Sequence, residues 1–177
     1  AFPLFIKAIE KVCHSEASAE ESHEILHCVQ DDNSECVMVA PDAGAYWAKD
    51  FAKKLGIDLV QVKKTRDKKT TAITITGSDP DTARLDGKTA IVVDDCIYTG
   101  ETLIYNASLL KKNGAKAVFC FATHAIFSGN APKLLQESEI DSLTVTDTIY
   151  VPKEKLFPKL KIILVNKLLV ELIEKMI

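Results

Sequence analysis

The chain has no large excess of charge of either sign, no CxxC pair and no apolar run long enough to cross a bilayer. A formal net charge of −3 over 177 residues gives no global attraction for a nucleic-acid polyanion. The opening AFPLFIKAIEKV is apolar, but it is short and carries charge, so no membrane span is expected there. No basic segment or cleavage pattern accompanies it, and no targeting role is expected. Cys13, Cys28, Cys36, Cys96 and Cys120 are an odd count without close pairing. They read as free thiols in a reducing compartment, which points to the cytoplasm. There is no internal repeat and no low-complexity linker. One domain over residues 1–177 is expected, long enough to bury a real core.

From residue 36 onward, short β-rich runs alternate with helical periods. CVMVA (36–40), DLVQVKK (58–64), TAITITG (71–77), KTAIVVDD (88–95), AKAVFCFATHA (115–125), SLTVTDT (142–148) and LKIILVN (160–166) read as strands. GAYWAKDFAKKLG (44–56) places Trp47, Phe51 and Leu55 one turn apart and stops at Gly56. TLIYNASLLKKNG (102–114), APKLLQES (131–138) and the closing KLLVELIEKMI are the other helices. Strands separated by helices imply a mainly parallel sheet in an α/β fold, with helices on both faces. Ligands of such sheets bind at the carboxyl ends of the strands. That edge is expected to receive Asp42, Asp94, Asp95, His124 and Asp147.

Residues 13–35 stand apart, being polar, rich in Ser and Glu, and without a clear period. Their Cys13, His14, His23, His27 and Cys28 match no common zinc spacing. A surface helix or insertion is the expectation for this segment.

The stretch AIVVDDCIYTGET (90–102) carries the chemistry. A strand-to-helix loop aims backbone N–H groups and the positive end of a helix dipole at one point, which suits an anion. Gly100 lets the backbone approach that anion, and Thr99 and Thr102 add hydroxyl donors. Asp94 and Asp95 suit a sugar diol, or a divalent cation by way of water. Phosphate and ribose together make a pentose phosphate. The plainer alternative is that the aspartates cap the next helix and Thr-Gly is an ordinary turn. KTRDKKT (64–70) has five ionisable residues and no apolar anchor, so a mobile loop is expected there. Cys96 reads as a spacer in the loop after the Asp pair, and His124 as a hydrogen-bonded structural residue.

These residues carry a resemblance. IVVDDCIYTGETL resembles the phosphoribosyl-diphosphate motif of the type I phosphoribosyltransferase fold. ATHAIFSGNAPKLLQESEIDSLTVTDTI is similar to the C-terminal half of the ribose-phosphate pyrophosphokinase family, and so is VMVAPDAGAYWAKDFAKKLG. KKTR falls where that family has a catalytic Lys-x-Arg. The resemblance covers nearly all of the chain except about 12–35.

The resemblance implies transfer of the β,γ-diphosphate of ATP to the anomeric hydroxyl of ribose 5-phosphate, with Mg²⁺. It assigns the metal to Asp42 and catalysis to Lys64 and Arg66. Substrate binding falls to Asp94, Asp95, Tyr98, Thr99, Gly100, Glu101 and Thr102. It implies a homo-oligomer, with ATP bound only if a partner domain completes the site. Two departures bear on activity. Tyr98 stands where the family has Asp, and Glu101 where it has Gly, so a carboxylate is lost from one place and added beside the phosphate. Two alternatives follow: a phosphoribosyltransferase that consumes phosphoribosyl diphosphate, and a catalytically silent regulatory homologue.

Overall fold

The computed structural model describes residues 36–40, 46–64, 73–77 and 85–174. Within them lie seven strands and four α-helices, in chain order β1 (Cys36–Ala40), α1 (Tyr46–Leu55), β2 (Asp58–Lys64), β3 (Ile73–Gly77), β4 (Thr89–Ile97), α2 (Glu101–Lys112), β5 (Ala117–Ala125), α3 (Ala131–Glu137), β6 (Ser142–Thr146), β7 (Leu160–Ile163) and α4 (Asn166–Glu174). One sheet joins the strands in the order β3-β2-β1-β4-β5-β6-β7. Six strands are mutually parallel, and β3 alone runs antiparallel, against β2. The expected α/β sheet is therefore present, with one reversed edge strand that the alternation of elements did not announce.

Burial on both faces explains the unbroken apolar strands. All five residues of β1 are buried. Val37 and Val39 join Ala90, Val92, Val118 and Cys120 in the core beneath α2 and α3. Cys36, Met38 and Ala40 join Ile91, Val93 and Phe119 in the core beneath α1. The chain winds outward from the centre in both directions, from β1 to β2 and from β4 to β7. Crossovers of one hand that travel in opposite directions must lie on opposite faces, and α1 and α2 do. The switch point thus falls between β1 and β4. A crevice outside their carboxyl ends is where such sheets take ligands.

Local chemistry sets the helix ends. Lys53 and Lys54 in the last turn of α1 complement its dipole. The chain leaves α2 through Gly114 at φ +93°, where an added Cβ would lie 2.8 Å from Asp86 Oδ1 and 3.0 Å from Asp86 Cα. Only glycine fits that crossing.

Three expectations are corrected. Cys96 is not a loop residue, since β4 continues two residues past the Asp pair and Cys96 pairs with His124. Asp147 turns back on the scaffold, its Oδ1 accepting the Val165 N–H at 2.8 Å. Cys36 is disulfide-bonded, with its partner outside the described residues, against the reading of five free thiols, whereas Cys96 and Cys120 are free. Asp42, Arg66, the segment 13–35 and most of the loop 64–70 lie outside the described residues. Among the described residues no helix is long and apolar enough to cross a membrane.

Candidate functional site

β4 delivers the Asp pair to the carboxyl edge, beside the switch point. Strand alternation sends the two side chains apart. Asp94 continues the row of Ala90 and Val92, on the face that α2 covers. Asp95 continues the row of Ile91 and Val93, on the α1 face. Asp94 is half-buried, and its Oδ1 accepts the Asp95 N–H at 2.9 Å; Asp95 is exposed. The pair is therefore two single carboxylates rather than one bidentate acceptor.

Residues Tyr98 to Gly100 form the turn into α2. Gly100 is the N-cap at φ +78°, with no side-chain cap bond. The first helical bond runs from the Ile104 N–H to the Gly100 carbonyl at 3.0 Å. The N–H groups of Glu101, Thr102 and Leu103 come before it and have no intrahelical acceptor. They converge with the helix dipole on the space outside Gly100, as an anion site requires. Gly100 is buried although the residues on either side are exposed. A Cβ there would sit 3.0 Å from Leu135 Cγ and Cδ2. Leu135 of α3, itself 1 % exposed, supports the turn from below. Tyr98, Thr99, Glu101 and Thr102 all point to solvent.

The turn is also tied to the segment after β5. The Ile97 carbonyl accepts the N–H groups of Ile126 and Phe127 at 3.0 and 3.2 Å, and the Tyr98 carbonyl accepts that of Ser128 at 2.8 Å. Phe127 holds φ +50°, is fully buried, and meets the Phe157 ring edge-on at a centroid distance of 5.9 Å.

Cys96 is the register partner of His124 in the neighbouring strand. Burial pushes its thiol up first, the negative charge of Asp95 adds to that, and a hydrogen bond with the Tyr98 side chain pulls the other way. A raised thiol holds less thiolate, which is the reacting form. At pH 8, Cys96 is expected to react with iodoacetamide more slowly than free cysteine, and Asp95→Asn to narrow the gap. Mass-resolved alkylation at the free-cysteine rate in the native chain would contradict this. Cys120 is buried and its thiol is pushed up further, so it is inert.

The structure thus brings together Asp94, Tyr98, Thr99, Gly100, Glu101 and Thr102, with Asp95 on the other face of the same strand end. Lys64 closes β2, two strands away at the same edge. Among the described residues no three His, Cys, Asp or Glu side chains close on one point to hold a metal. Sequence reasoning missed the support from Leu135 and the hydroxyl network of Thr146 and Thr148 around His124. The alternating threonines of SLTVTDT were the available sign of that network.

A family model described as the phosphoribosyl synthetase-associated domain matches residues 57–177. A ribose-phosphate pyrophosphokinase of Vibrio vulnificus is 42% identical over 122 residues, which is 67% of this chain and 37% of that protein. One from Aquifex aeolicus is 39% identical over 142 residues, 78% of this chain and 43% of that protein. The crystal structure of phosphoribosylpyrophosphate synthetase from Mycobacterium smegmatis superposes with a TM-score of 0.74 at 30% identity, covering 94% of this chain and 49% of that one. The chain spans about two fifths of the length of these curated relatives.

Proposed function

This chain belongs to the family of the phosphoribosyl synthetase-associated domain, and from that premise we propose that it binds the sugar phosphate of a ribose-phosphate diphosphokinase reaction. The ligand is ribose 5-phosphate, or phosphoribosyl diphosphate as product. The observation that carries the reading is the buried, left-handed Gly100 at the N-terminus of α2, which leaves three N–H groups for one phosphate.

In this reading the 5-phosphate sits against the N–H groups of Glu101 to Leu103 and the hydroxyls of Thr99 and Thr102. Asp94 and Asp95 accept from the sugar. Lys64 and Arg66 neutralise the diphosphate as it passes from ATP to the anomeric oxygen, a step governed by position and charge rather than by a covalent nucleophile. Mg²⁺ dehydrates reluctantly and takes one or two protein oxygens plus substrate phosphates, so a single carboxylate beside the substrate suffices for it. Mg²⁺ held by Asp42 and the substrate would supply charge neutralisation. ATP would be bound by protein beyond these 177 residues. We place the chain in the cytoplasm, in keeping with the free thiols of Cys96 and Cys120; the Cys36 bridge points the other way. Assembly as a homo-oligomer and a single domain over residues 1–177 belong to the same proposal; the exposed apolar Leu169, Val170 and Ile173 of α4 support a contact surface.

A second reading, a sugar-phosphate domain that binds without catalysing, is favoured by Glu101 and Tyr98. Glu101 is exposed in the first turn of α2, where its charge opposes a phosphate. Glu101→Gln is expected to tighten ribose 5-phosphate binding about two- to fivefold at low salt, with the gain shrinking as salt rises. The same change removes a favourable helix-dipole partner, so a slightly lower melting temperature should accompany it. Calorimetric titration of both chains with ribose 5-phosphate tests the reading; heat-silent titrations for both would remove the phosphate from this loop.

A further inference from the structure

We propose that Asn113 is a modification site gated by the fold: shielded in the native chain, converted to aspartate and isoaspartate when the end of α2 opens, and then no longer accommodated by that helix end. The inference goes beyond the sugar-phosphate reading and does not depend on it. It starts from the dipeptide Asn113-Gly114. Glycine has no Cβ, so its backbone nitrogen is an unhindered nucleophile. That nitrogen can attack the Cγ carbon of a preceding asparagine. The N–Cγ bond forms, the Cγ–Nδ2 bond breaks, and the Gly114 amide proton leaves with the side-chain nitrogen as ammonia. Water then opens the cyclic imide. Opening at Cγ gives aspartate. Opening at the backbone carbonyl gives isoaspartate, in which the main chain runs through the former side chain. Water is the sole co-reactant, and Asn113 is exposed to it.

The helix end holds the reacting atoms apart. Asn113 is the C-cap of α2, at φ −96° and ψ 18°. The Gly114 N–H donates to the Lys111 carbonyl at 3.1 Å, and the Ala115 N–H to the Leu110 carbonyl at 3.0 Å. These are the paired bonds of a Schellman motif, and they tie the nucleophile into the cap. Its target is turned away. Asn113 Nδ2 donates to the Leu109 carbonyl at 2.8 Å, and the Asn113 backbone N–H donates to the same oxygen at 3.1 Å. A side chain folded over its own backbone nitrogen stands opposite its carbonyl carbon, because the rotamer that touches both clashes with the preceding turn. Cγ therefore lies away from the Gly114 nitrogen, whereas reaction requires an approach to about 3–3.5 Å.

The entry to β4 braces the cap from outside. The Gly87 N–H donates to the Gly114 carbonyl at 2.9 Å, so Gly114 is held through both its N–H and its carbonyl. Isoaspartate adds a carbon to the main chain at this crossing. The space is already filled there, since an ideal Cβ on Gly114 would lie 3.0 Å from Asp86 Cα. Either product also loses the Nδ2 donor to Leu109 and places a carboxylate at the negative end of the α2 dipole. A chain modified while open therefore closes onto a poorer cap, and each opening makes the next one easier.

The test is peptide-resolved mass spectrometry of the chain incubated at mildly alkaline pH, native and unfolded in guanidinium chloride. Asn113 is expected to convert in the unfolded chain and at least about tenfold more slowly in the native one, because the reactive geometry requires a local opening. Leu110→Ala removes a fully buried anchor from the last turns of α2 and leaves the dipeptide intact, so it is expected to raise the native rate. Should that variant not fold, guanidinium chloride below the unfolding midpoint serves the same purpose, and the rate is expected to rise with the open fraction. Asn113→Asp carries one of the products and is expected to melt below the native chain. Equal conversion in native and unfolded protein overturns the shielding. A native rate unmoved by both Leu110→Ala and denaturant overturns the gate. An Asn113→Asp chain as stable as the native one overturns the damage assigned to the product.

Discussion

Purified by itself, the 177-residue chain is expected to release no AMP above background from ATP and ribose 5-phosphate with Mg²⁺. Diphosphoryl transfer depends on holding donor and acceptor in line. Placing two reactants in one site supplies about 7–11 kcal/mol of the barrier through prepaid translational and rotational entropy. A chain that binds only one of them forfeits that contribution. Against enzyme turnover of about 1 to 10³ s⁻¹, the deficit amounts to five orders of magnitude or more. The chain covers only 37–43% of the curated relatives named above, and Glu101 sits in the first turn of α2, where its charge would oppose the proposed phosphate. A coupled assay of AMP release measures the outcome. Turnover within tenfold of 1 s⁻¹ would restore the catalytic reading outright and sink the silent one. A blank assay together with calorimetric binding of ribose 5-phosphate is the result we expect.

Phe127→Ala is expected to cost about 3–5 kcal/mol, the range for deleting a fully buried aromatic ring. That is a large share of a total stability of about 5–15 kcal/mol. The melting temperature should fall by roughly 6–20 °C for a chain of this size. Phe127 fills the core beneath α2, and its loss also strips Phe157 of its edge-on neighbour. Its backbone sits at φ +50°, a conformation that L-residues occupy at a cost of about 1–2 kcal/mol. Phe127→Ala keeps that strain and loses the ring. Phe127→Gly loses the ring but relieves the strain. Glycine is therefore expected to be the less damaging of the two, the reverse of its rank in a helix. Urea midpoints of the three chains decide the matter. An alanine variant within about 2 °C of native, or one more stable than glycine, would show that the ring packs loosely or that the backbone is unstrained.

The fold was largely legible because β1, β4 and β5 are apolar on both faces and α1 is apolar on one, so two periodicities could be told apart. The direction of β3 was not, since a strand carries no periodic mark of which way it runs. The extent of β4 was underestimated: Cys96 and Ile97 look like loop residues until their pairing with His124 and Ala125 is seen. That extension also decides the Asp pair, because a strand that continues through both aspartates must send them to opposite faces. The turn into α2 was legible from Thr-Gly-Glu-Thr after an apolar run. Its dependence on Leu135, thirty-five residues further on, was not, because a contact across the fold leaves no local trace. Phe127 hid for a related reason: Ile-Phe-Ser-Gly reads as a turn that Gly129 supplies, whereas the left-handed geometry also falls on a buried aromatic residue. Asp42, Arg66 and the Lys64 side chain are outside what is described and stay with the proposal.

The ties from Ile97 and Tyr98 to Ile126, Phe127 and Ser128 bear on how this site can drift over time. All three bonds use backbone atoms, so they constrain the length of the turn and not its outward side chains. An insertion between residues 98 and 100 would pull the Tyr98 carbonyl off Ser128 and lift Gly100 from Leu135, and selection for folding alone would remove it. A substitution at Tyr98, Thr99, Glu101 or Thr102, whose side chains face water, leaves all of that intact. Ligand preference can therefore wander, or be lost, with little penalty to the scaffold. The two departures at Tyr98 and Glu101 fall at the positions where the architecture tolerates them.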